Sequence, residues 1–291
     1  MERVEIKEAS YTSPGGKGEA LHSSLDTPFN LELAHELLAT YGSPLYVYQG
    51  DRLRDTIQYI TQAIAYPRTQ FHFASVTNAT IAFTQVIDIV LATAQQLPNW
   101  EYLDFGGGFG YPYRRNGAAF NWEEFGAELT KQIGRLERDI DLVIEPGRAA
   151  IAGCATLLAQ VVSVKWQQQK QIVGVNTTVA NLSVPSVHGG YREIVTWVGA
   201  HSDAPLHPTD VCGNTTYSRD YLGRNCQLPA LEIGDIIAIL DVGAYGYAMS
   251  SHFLHRPRPA EVLLENDTPR LIRKREDYSI LLNKQVFDAN K

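Results

Sequence analysis

The pattern of secondary-structure signals changes near residue 160, and this change limits the folds open to the chain. Before it, short apolar runs typical of strands alternate with segments of helical apolar spacing, such as 51–65 and 81–97. After it, β-rich runs follow one another and are separated by turn residues. Alternating strands and helices indicate βα units with parallel strands, whereas successive strands indicate an antiparallel sheet. The chain is therefore predicted to be α/β, with a mostly antiparallel C-terminal β-domain.

The composition narrows the classes of function. The 291 residues are 44% hydrophobic and 20% charged, as in a soluble globular protein. A net charge of −7 without a run of Lys or Arg argues against a nucleic-acid partner. The charged first ten residues lack the apolar core of a signal peptide, and no apolar stretch of about 18 residues predicts a membrane span, so we expect a cytoplasmic protein. Three distant cysteines predict neither a disulfide framework nor a metal site; they are Cys154, Cys212 and Cys226.

Residues 104–110 read DFGGGFG and follow a strand signal. Glycine is costly in backbone entropy, so four glycines in seven residues indicate that the backbone itself has a role. A helix opens later, at the capping pair Asn121 and Glu124, and this strand–loop–helix order suits a loop whose N–H groups bind phosphate. The loop is not a Walker A motif, because no Gly-Lys-Ser/Thr follows, and Tyr111 stands where a dinucleotide fingerprint has its third glycine. From the loop alone, phosphate binding and a structural turn both remain open.

Three motifs in order then carry a resemblance. GGGFGYPY is followed by IEPGRAAIAGCATLLAQVVSVK and later by DVGAYGYAMSSHFLHRPRPAEVL. In this order they resemble the pyridoxal-phosphate decarboxylases of the alanine-racemase-like fold, with the greatest similarity to diaminopimelate decarboxylases. The likeness covers most of residues 28–282. It implies pyridoxal phosphate as cofactor, a homodimer, and decarboxylation of a basic or diamino acid, above all meso-diaminopimelate to lysine.

The resemblance also implies roles for individual residues. Backbone N–H groups would hold the cofactor phosphate at Gly106, Gly107, Gly108 and Gly110. Glu145 would face the pyridine nitrogen, where a carboxylate keeps the ring protonated, and Arg148 would hold a carboxylate through its guanidinium. Further positions implied in cofactor or substrate binding are Gly147, Tyr245, His188 and Tyr217. Taken singly, Glu145 and Arg148 could equally form a surface ion pair, and Tyr245 could be a core tyrosine.

Several positions depart from the family's motifs. Val76 occupies the slot of the cofactor lysine in HFASVTN and has no amine, so the cofactor would be held non-covalently. In GNTTYSRD, Thr216 occupies the slot of the catalytic cysteine and Tyr217 that of a substrate-reading glutamate. Val184 replaces an arginine and His188 a tyrosine. These departures keep open two alternatives, a non-catalytic relative that binds a phosphate ligand or regulates an enzyme, and a deletion product without function.

The βα part of the chain is also shorter than the family's barrel. Residues 28–168 provide 141 positions, against about 250 in a typical (β/α)₈ barrel. The chain passes from VTN (76–78) directly into a segment that resembles the helix before the family's glycine loop. We therefore expect a (β/α) barrel of the alanine-racemase-like type, shortened by several units, over residues 28–160. The β-domain is expected to comprise residues 1–27 and 161–291.

Overall fold

The computed structural model describes residues 27–74, 80–136, 138–198 and 204–286. Over these ranges the helices are α1 (Leu31–Tyr41), α2 (Gly50–Ala63), α3 (Thr80–Ala94), α4 (Trp122–Ile133), α5 (Gly147–Ile151), α6 (Val184–Val187) and α7 (Ser279–Leu282). None of these helices is long and apolar enough to cross a membrane. The predicted cytoplasmic location stays a prediction.

The strands form two separate sheets. In chain order they are β1 (Leu45–Gln49), β2 (Thr69–Ala74), β3 (Tyr102–Asp104), β4 (Asp141–Pro146), β5 (Ala155–Gln167), β6 (Lys170–Val175), β7 (Ile194–Thr196), β8 (His207–Cys212), β9 (Tyr221–Leu228), β10 (Ile236–Ile239), β11 (Ala260–Glu265) and β12 (Thr268–Arg273). A nine-stranded sheet has the order β12-β11-β1-β5-β6-β8-β9, with β10 joining β5 to β7. A three-stranded sheet has the order β2-β4-β3.

The two sheets differ in strand direction. Both pairs of the three-stranded sheet are parallel, as the alternating strands and helices predicted. The nine-stranded sheet is mixed: within the described residues, β1 with β11 and β6 with β8 are parallel, and the other six pairs are antiparallel. A C-terminal sheet with antiparallel pairs in the majority therefore agrees with the prediction.

Strand β1 lies in a different sheet from the one that the sequence indicated. The predicted boundary placed it in the barrel part (28–160), but it pairs with β11 on one side and β5 on the other. The physical reason is its burial: Leu45, Tyr46 and Val47 are all fully buried. A strand that is apolar on both faces needs a central position with cover above and below, and the nine-stranded sheet provides it.

The nine-stranded sheet has a core on each face. Side chains alternate between the two cores with the period of two expected of strands. Along β5, Leu157 and Ala159 enter one core, while Leu158 enters the other and packs with α1. On β10, Ile237 and Ile239 likewise face the first core and their neighbours the second. Helix α1 thus covers one face of the sheet, and the core on the opposite face includes Leu182 and Val242 from outside the strands.

The three-stranded sheet shares one core with α2, α3 and α4, and between α3, the glycine loop and α4 this core is an aromatic cluster formed by Phe83, Phe109, Phe120, Trp122 and Phe125. Helix α4 begins at the predicted capping pair, since the Asn121 side chain accepts the N–H of Glu124 at 3.0 Å. A Cβ on Gly126 would lie 1.9 Å from the carbonyl oxygen of Ala63. Only glycine therefore allows α4 to approach the end of α2 so closely.

Glu276 fastens the chain after β12 to the segment that precedes β11. Its carboxylate accepts hydrogen bonds from the Arg258 side chain at 2.8 Å and the Arg258 N–H at 2.9 Å, and lies 2.6 Å from the His252 ring. Burial opposes its ionisation, but these hydrogen bonds prevail and lower the pKa of Glu276 from 4.5 to about 2. The ionised form is therefore the one that the fold stabilises.

We expect Glu276→Gln to lower the free energy of unfolding near neutral pH by about 1–2 kcal/mol, because hydrogen bonds to a charged acceptor are lost. A lowered pKa gives stability that is complete above the ordinary pKa of 4.5 and is lost as the pH falls through about 2. Thermal unfolding of both proteins across this range measures the effect. The difference in Tm should be constant above about pH 5 and should narrow in acid. A constant difference down to about pH 2 would contradict this assignment.

Candidate active site

The glycine loop leaves the carboxyl end of β3. Gly106 and Gly108 have φ angles of +65° and +98°, a region that residues with a Cβ rarely adopt. The N–H of Gly106 donates to the Asp104 carboxylate at 2.7 Å, and its carbonyl oxygen accepts the N–H of Glu145 at 2.9 Å. Phe109, between the last two glycines, is fully buried in the aromatic cluster. A buried anchor and a positive-φ backbone thus fix the loop beside the end of β4.

Strand β4 and helix α5 bring two of the predicted site residues to this loop. A Cβ on Gly106 would lie 3.9 Å from Glu145 Oε2, so the carboxylate is next to the loop. The Arg148 guanidinium carbon lies 5.1 Å from the ring centroid of Tyr245. Arg148 Nε is buried and has no hydrogen-bond partner in the described part of the chain. Within that part no ion pair joins Glu145 and Arg148, so the surface-pair alternative is not what the geometry shows.

The turn after β10, which belongs to the nine-stranded sheet, contacts the segment that follows the glycine loop. The Tyr111 hydroxyl donates to Asp241 Oδ1 at 2.8 Å, and Arg52 Nη2 lies 4.0 Å from the same oxygen. Burial, followed by the charge of Asp241, raises the pKa of Tyr111, which therefore remains a neutral donor. A Cβ on Gly243 would lie 1.9 Å from the carbonyl oxygen of Ile151. Glycine at this position lets the turn approach α5, and so brings Tyr245 beside Arg148.

A second arginine lies in the same region. Arg192 is 3% exposed, and its guanidinium carbon lies 3.7 Å from the ring centroid of Tyr113. Burial raises the pKa of Tyr113, against the opposing influence of Arg192 and Arg148. The Tyr113 hydroxyl is buried and has no hydrogen-bond partner among the described residues. The glycine loop, α5 and the turn after β10 therefore bring together guanidinium groups, a carboxylate and several phenol groups.

Other predicted site residues lie elsewhere in the described structure. His188 is exposed at the end of α6, and its N–H donates to the Val184 carbonyl oxygen. Thr216 is exposed, and the Tyr217 ring packs edge-on against Phe253 at 5.7 Å between centroids. No hydrogen bond or ring contact in the described ranges joins these three residues to the glycine loop. Val76 lies outside the described residues.

Comparison with known proteins follows this geometry. The family described as pyridoxal-dependent decarboxylase, C-terminal sheet domain, matches residues 45–243. A diaminopimelate decarboxylase of Archaeoglobus fulgidus is 36% identical over 208 residues, which are 70% of this chain and 49% of that protein. The enzyme of the same name from Methanothermobacter thermautotrophicus is 34% identical over 65% of this chain and 45% of its own length.

A solved structure agrees. Diaminopimelate decarboxylase from M. jannaschii, in complex with L-lysine, superposes with a TM-score of 0.65 at 26% identity, over 74% of this chain and 51% of that one. The chain belongs to the family of pyridoxal-dependent decarboxylases. This decarboxylase-family chain spans about half the length of the curated relatives that it matches.

The donor set of this decarboxylase-family chain is compatible with the phosphate of the family's cofactor. Positive φ angles at Gly106 and Gly108 give the loop a backbone conformation that residues with a side chain rarely adopt. Only the Glu145 carboxylate would contact a Cβ on Gly106, at 3.9 Å. The buried Nε of Arg148 and the buried hydroxyl of Tyr113 are donors that a bound anion could satisfy.

Sequence reasoning on this decarboxylase-family chain missed several residues of the site. Tyr111 and Tyr113 are the first and third residues after the glycine loop, and Asp241 lies two residues before the start of the motif GAYG, so their closeness to recognised motifs was the available signal. Arg52 and Arg192 carried no such signal. Their place depends on how α2 and the segment before β7 pack against the loop, which no local pattern specifies.

We expect Asp241→Asn to lower the free energy of unfolding by about 1–2 kcal/mol, because it removes the charge that accepts the Tyr111 hydrogen bond and pairs with Arg52 at 4.0 Å. Asparagine tolerates the φ of +58° at this position, so the backbone is not the cause of any loss. Urea unfolding of the variant measures the change. The matched control is Asp235→Asn, whose carboxylate accepts one hydrogen bond in an exposed turn, with an expected loss below about 0.5 kcal/mol. Equal losses in both variants would show that the contact does not join the two sheets.

Proposed function

We propose that this chain binds pyridoxal phosphate non-covalently at the glycine loop and derives from a decarboxylase of a basic or diamino acid. Its relatives carry the name diaminopimelate decarboxylase, which makes meso-diaminopimelate, converted to lysine, the substrate that we favour. The observation that supports the proposal is the meeting of Gly106, Glu145, Arg148 and Tyr245 at one place. These residues come from two sheets and match the motifs that carried the resemblance.

Each residue has a role in the proposed site. Backbone N–H groups of the glycine loop hold the phosphate at Gly107, Gly108 and Gly110, and at Gly106 once its N–H has left the Asp104 carboxylate. When bound, the cofactor supplies a ring that withdraws electrons from an amino acid as carbon dioxide leaves. Glu145 holds a proton at the ring nitrogen, and Arg148, with Gly147 and Tyr245 beside it, binds a carboxylate of the substrate or the phosphate. His188 and Tyr217 lie away from the glycine loop within one chain, so they would read the rest of the substrate from the second chain of the proposed homodimer.

The substituted positions favour a second candidate, a non-catalytic relative that binds a phosphate ligand or regulates an enzyme. Val76 provides no amine for a covalent link to the cofactor, and Thr216 provides a hydroxyl where the family has a thiol. A threonine hydroxyl is a far weaker acid than a thiol with a pKa of about 8.5. General acid catalysis typically contributes about 10²–10⁴-fold to a rate, so this loss alone is large.

We further propose that several units are missing from the barrel of this chain. The separate parallel sheet has three strands in the described ranges, and the chain spans about half the length of its relatives. In this proposal, residues 50–154 form what remains of the barrel. Strand β1 and residues 155–291 form the β-domain. Residues 1–27 stay assigned to the β-domain. This division adjusts the predicted boundaries to the observed pairing of β1.

The first test of the proposal is cofactor binding. We expect the chain to bind pyridoxal phosphate in titration calorimetry and Gly107→Asp to abolish binding, because aspartate adds bulk and a like charge to the phosphate site. Borohydride should leave no covalent adduct at the binding site, since Val76 offers no amine. Gly134→Asp, at the exposed end of α4 with an ordinary helical φ of −61°, is the matched control and should bind like the unmodified chain. Unchanged affinity in Gly107→Asp would rule out this site.

The second test concerns the predicted homodimer. Strands β2 and β3 are the edges of the three-stranded sheet, and apolar residues such as Tyr102 and Ile89 are 67% and 65% exposed. Open edges and exposed apolar side chains are surfaces that self-association covers. We therefore expect twice the mass of one chain in light scattering at micromolar concentration. A monomeric mass would contradict the homodimer.

The third test concerns turnover. We expect little or no carbon dioxide release from diaminopimelate, ornithine, arginine or lysine, and no recovery in Val76→Lys, because Thr216, Tyr217 and Val184 still lack the family's side chains. The measurement is carbon dioxide release for both proteins with added cofactor. Robust turnover by the unmodified chain would overturn the account of the substituted slots. Recovery in Val76→Lys would show that the shortened barrel builds a working site.

A further inference from the structure

A groove beside the candidate active site is lined by four arginines, one of which, Arg192, also borders that site. It lies between the segment after α6 and strand β9, and has a volume of about 420 Å³. Its arginines come from four places in the chain: Arg114, Arg192, Arg219 and Arg224. None of the residues to which the sequence assigned a role lines this groove. Such a concentration of guanidinium groups at one surface is repulsive unless an anion compensates it.

Tyrosine rings hold three of these guanidinium groups. The guanidinium carbons of Arg114 and Arg224 lie 4.0 Å and 3.8 Å from the ring centroids of Tyr191 and Tyr221. Arg192 stacks in the same way on Tyr113, as described above. Stacking fixes the plane of a guanidinium and leaves the N–H groups at its edge available to an oxyanion. The arginines are therefore pre-organised donors rather than freely moving surface charges.

The acidic residues that adjoin these arginines in sequence are engaged elsewhere. Glu193 accepts a hydrogen bond from the Tyr191 hydroxyl at 2.6 Å and lies 3.9 Å from Arg115. Asp220 is 4% exposed and accepts the N–H of Val179 at 2.7 Å and that of Thr215 at 3.1 Å. No Asp or Glu stands among the described residues that line the groove. The chain itself therefore does not neutralise this surface from within the groove.

Arg192 provides an independent indication of a ligand. Its Nη1 donates to the carbonyl oxygen of Tyr191 at 2.7 Å, but its buried Nε has no hydrogen-bond partner in the described part of the chain. Burial lowers the pKa of Arg192, and the opposing influence of Tyr113 and Asp241 only partly offsets this. A buried cation with an unsatisfied donor is unfavourable without an acceptor. A bound anion would supply one.

We propose that this groove binds a small, multiply charged phosphate anion of the diphosphate or triphosphate type. Four guanidinium groups match the charge of such an anion better than that of a single carboxylate, and bidentate arginine contacts suit phosphate oxygens. The volume of about 420 Å³ lies within the range of small-ligand sites, roughly 300–1,000 Å³. The site is distinct from the glycine loop and goes beyond the proposed cofactor binding.

Titration calorimetry of the full chain with inorganic pyrophosphate tests the proposal. The unmodified chain should bind at about 50 mM salt, and binding should weaken as salt rises. The double variant Arg219→Gln, Arg224→Gln should weaken binding roughly tenfold or more; both side chains are exposed, so the fold should persist. Arg138→Gln is the matched control, because Arg138 is also exposed and stacked on a ring, that of Trp100, outside the groove. It should bind like the unmodified chain.

Two further arms separate this site from the cofactor site and distinguish sources of the anion. Gly107→Asp should retain pyrophosphate binding while it loses pyridoxal phosphate, so either proposal can fail alone. A nucleoside triphosphate that binds at least roughly tenfold more tightly than pyrophosphate would identify a nucleotide as the ligand; equal affinities would identify the phosphate chain itself. Absence of binding at millimolar pyrophosphate, or an equal loss in Arg138→Gln, would overturn the proposal. A change in oligomeric mass on Arg219→Gln, Arg224→Gln without pyrophosphate binding would also overturn it, in favour of an interface between chains.

Discussion

The close approach of the turn after β10 to helix α5 is the constraint on which the candidate site depends. The backbone at Gly243 passes so near the Ile151 carbonyl oxygen that any Cβ would overlap it. From this turn Asp241 accepts the hydroxyl of Tyr111, and Tyr245 lies beside Arg148. Because Tyr111 follows the glycine loop and Asp241 follows β10, their hydrogen bond is one of the contacts that couple the two sheets at the site. Without this approach, the glycine loop and Tyr245 would belong to unconnected surfaces.

Burial explains why the site is electrostatically unusual. Three phenol groups lie around it, and burial raises the pKa of Tyr111 and of Tyr113, so both stay neutral near physiological pH. Neutral phenols can surround guanidinium groups without adding a second charge, which leaves the positive charge of Arg148 and Arg192 available to an anion. The buried Nε atoms of both arginines have no hydrogen-bond partner in the described part of the chain. This arrangement supports one anion at the glycine loop and another in the arginine groove.

The family membership and the substituted positions lead to different expectations about activity. The glycine loop, Glu145 and Arg148 retain the groups that would hold a phosphate and a ring, whereas Val76 and Thr216 lack the groups that would carry out covalent and acid chemistry. Binding depends on backbone N–H groups and charge, which tolerate the loss of distant catalytic side chains. Turnover depends on precisely positioned proton donors and bases, and it is lost when those side chains are replaced. A chain that still binds but turns over poorly is therefore the physically consistent outcome.

The sequence by itself determined the local elements and the loop chemistry of this protein. Helical spacing predicted α2 and α3, the pair Asn121 and Glu124 marked the start of α4, and the glycines marked the loop, because each signal depends on neighbouring residues alone. Only the tertiary structure decided that β1 belongs to the nine-stranded sheet, since an apolar strand does not specify which partners will cover its two faces. The same holds for Arg52 and Arg192, whose neighbours come from distant parts of the chain. Local backbone preferences can be read from adjacent residues, whereas long-range pairing is decided by packing between segments that the sequence keeps far apart.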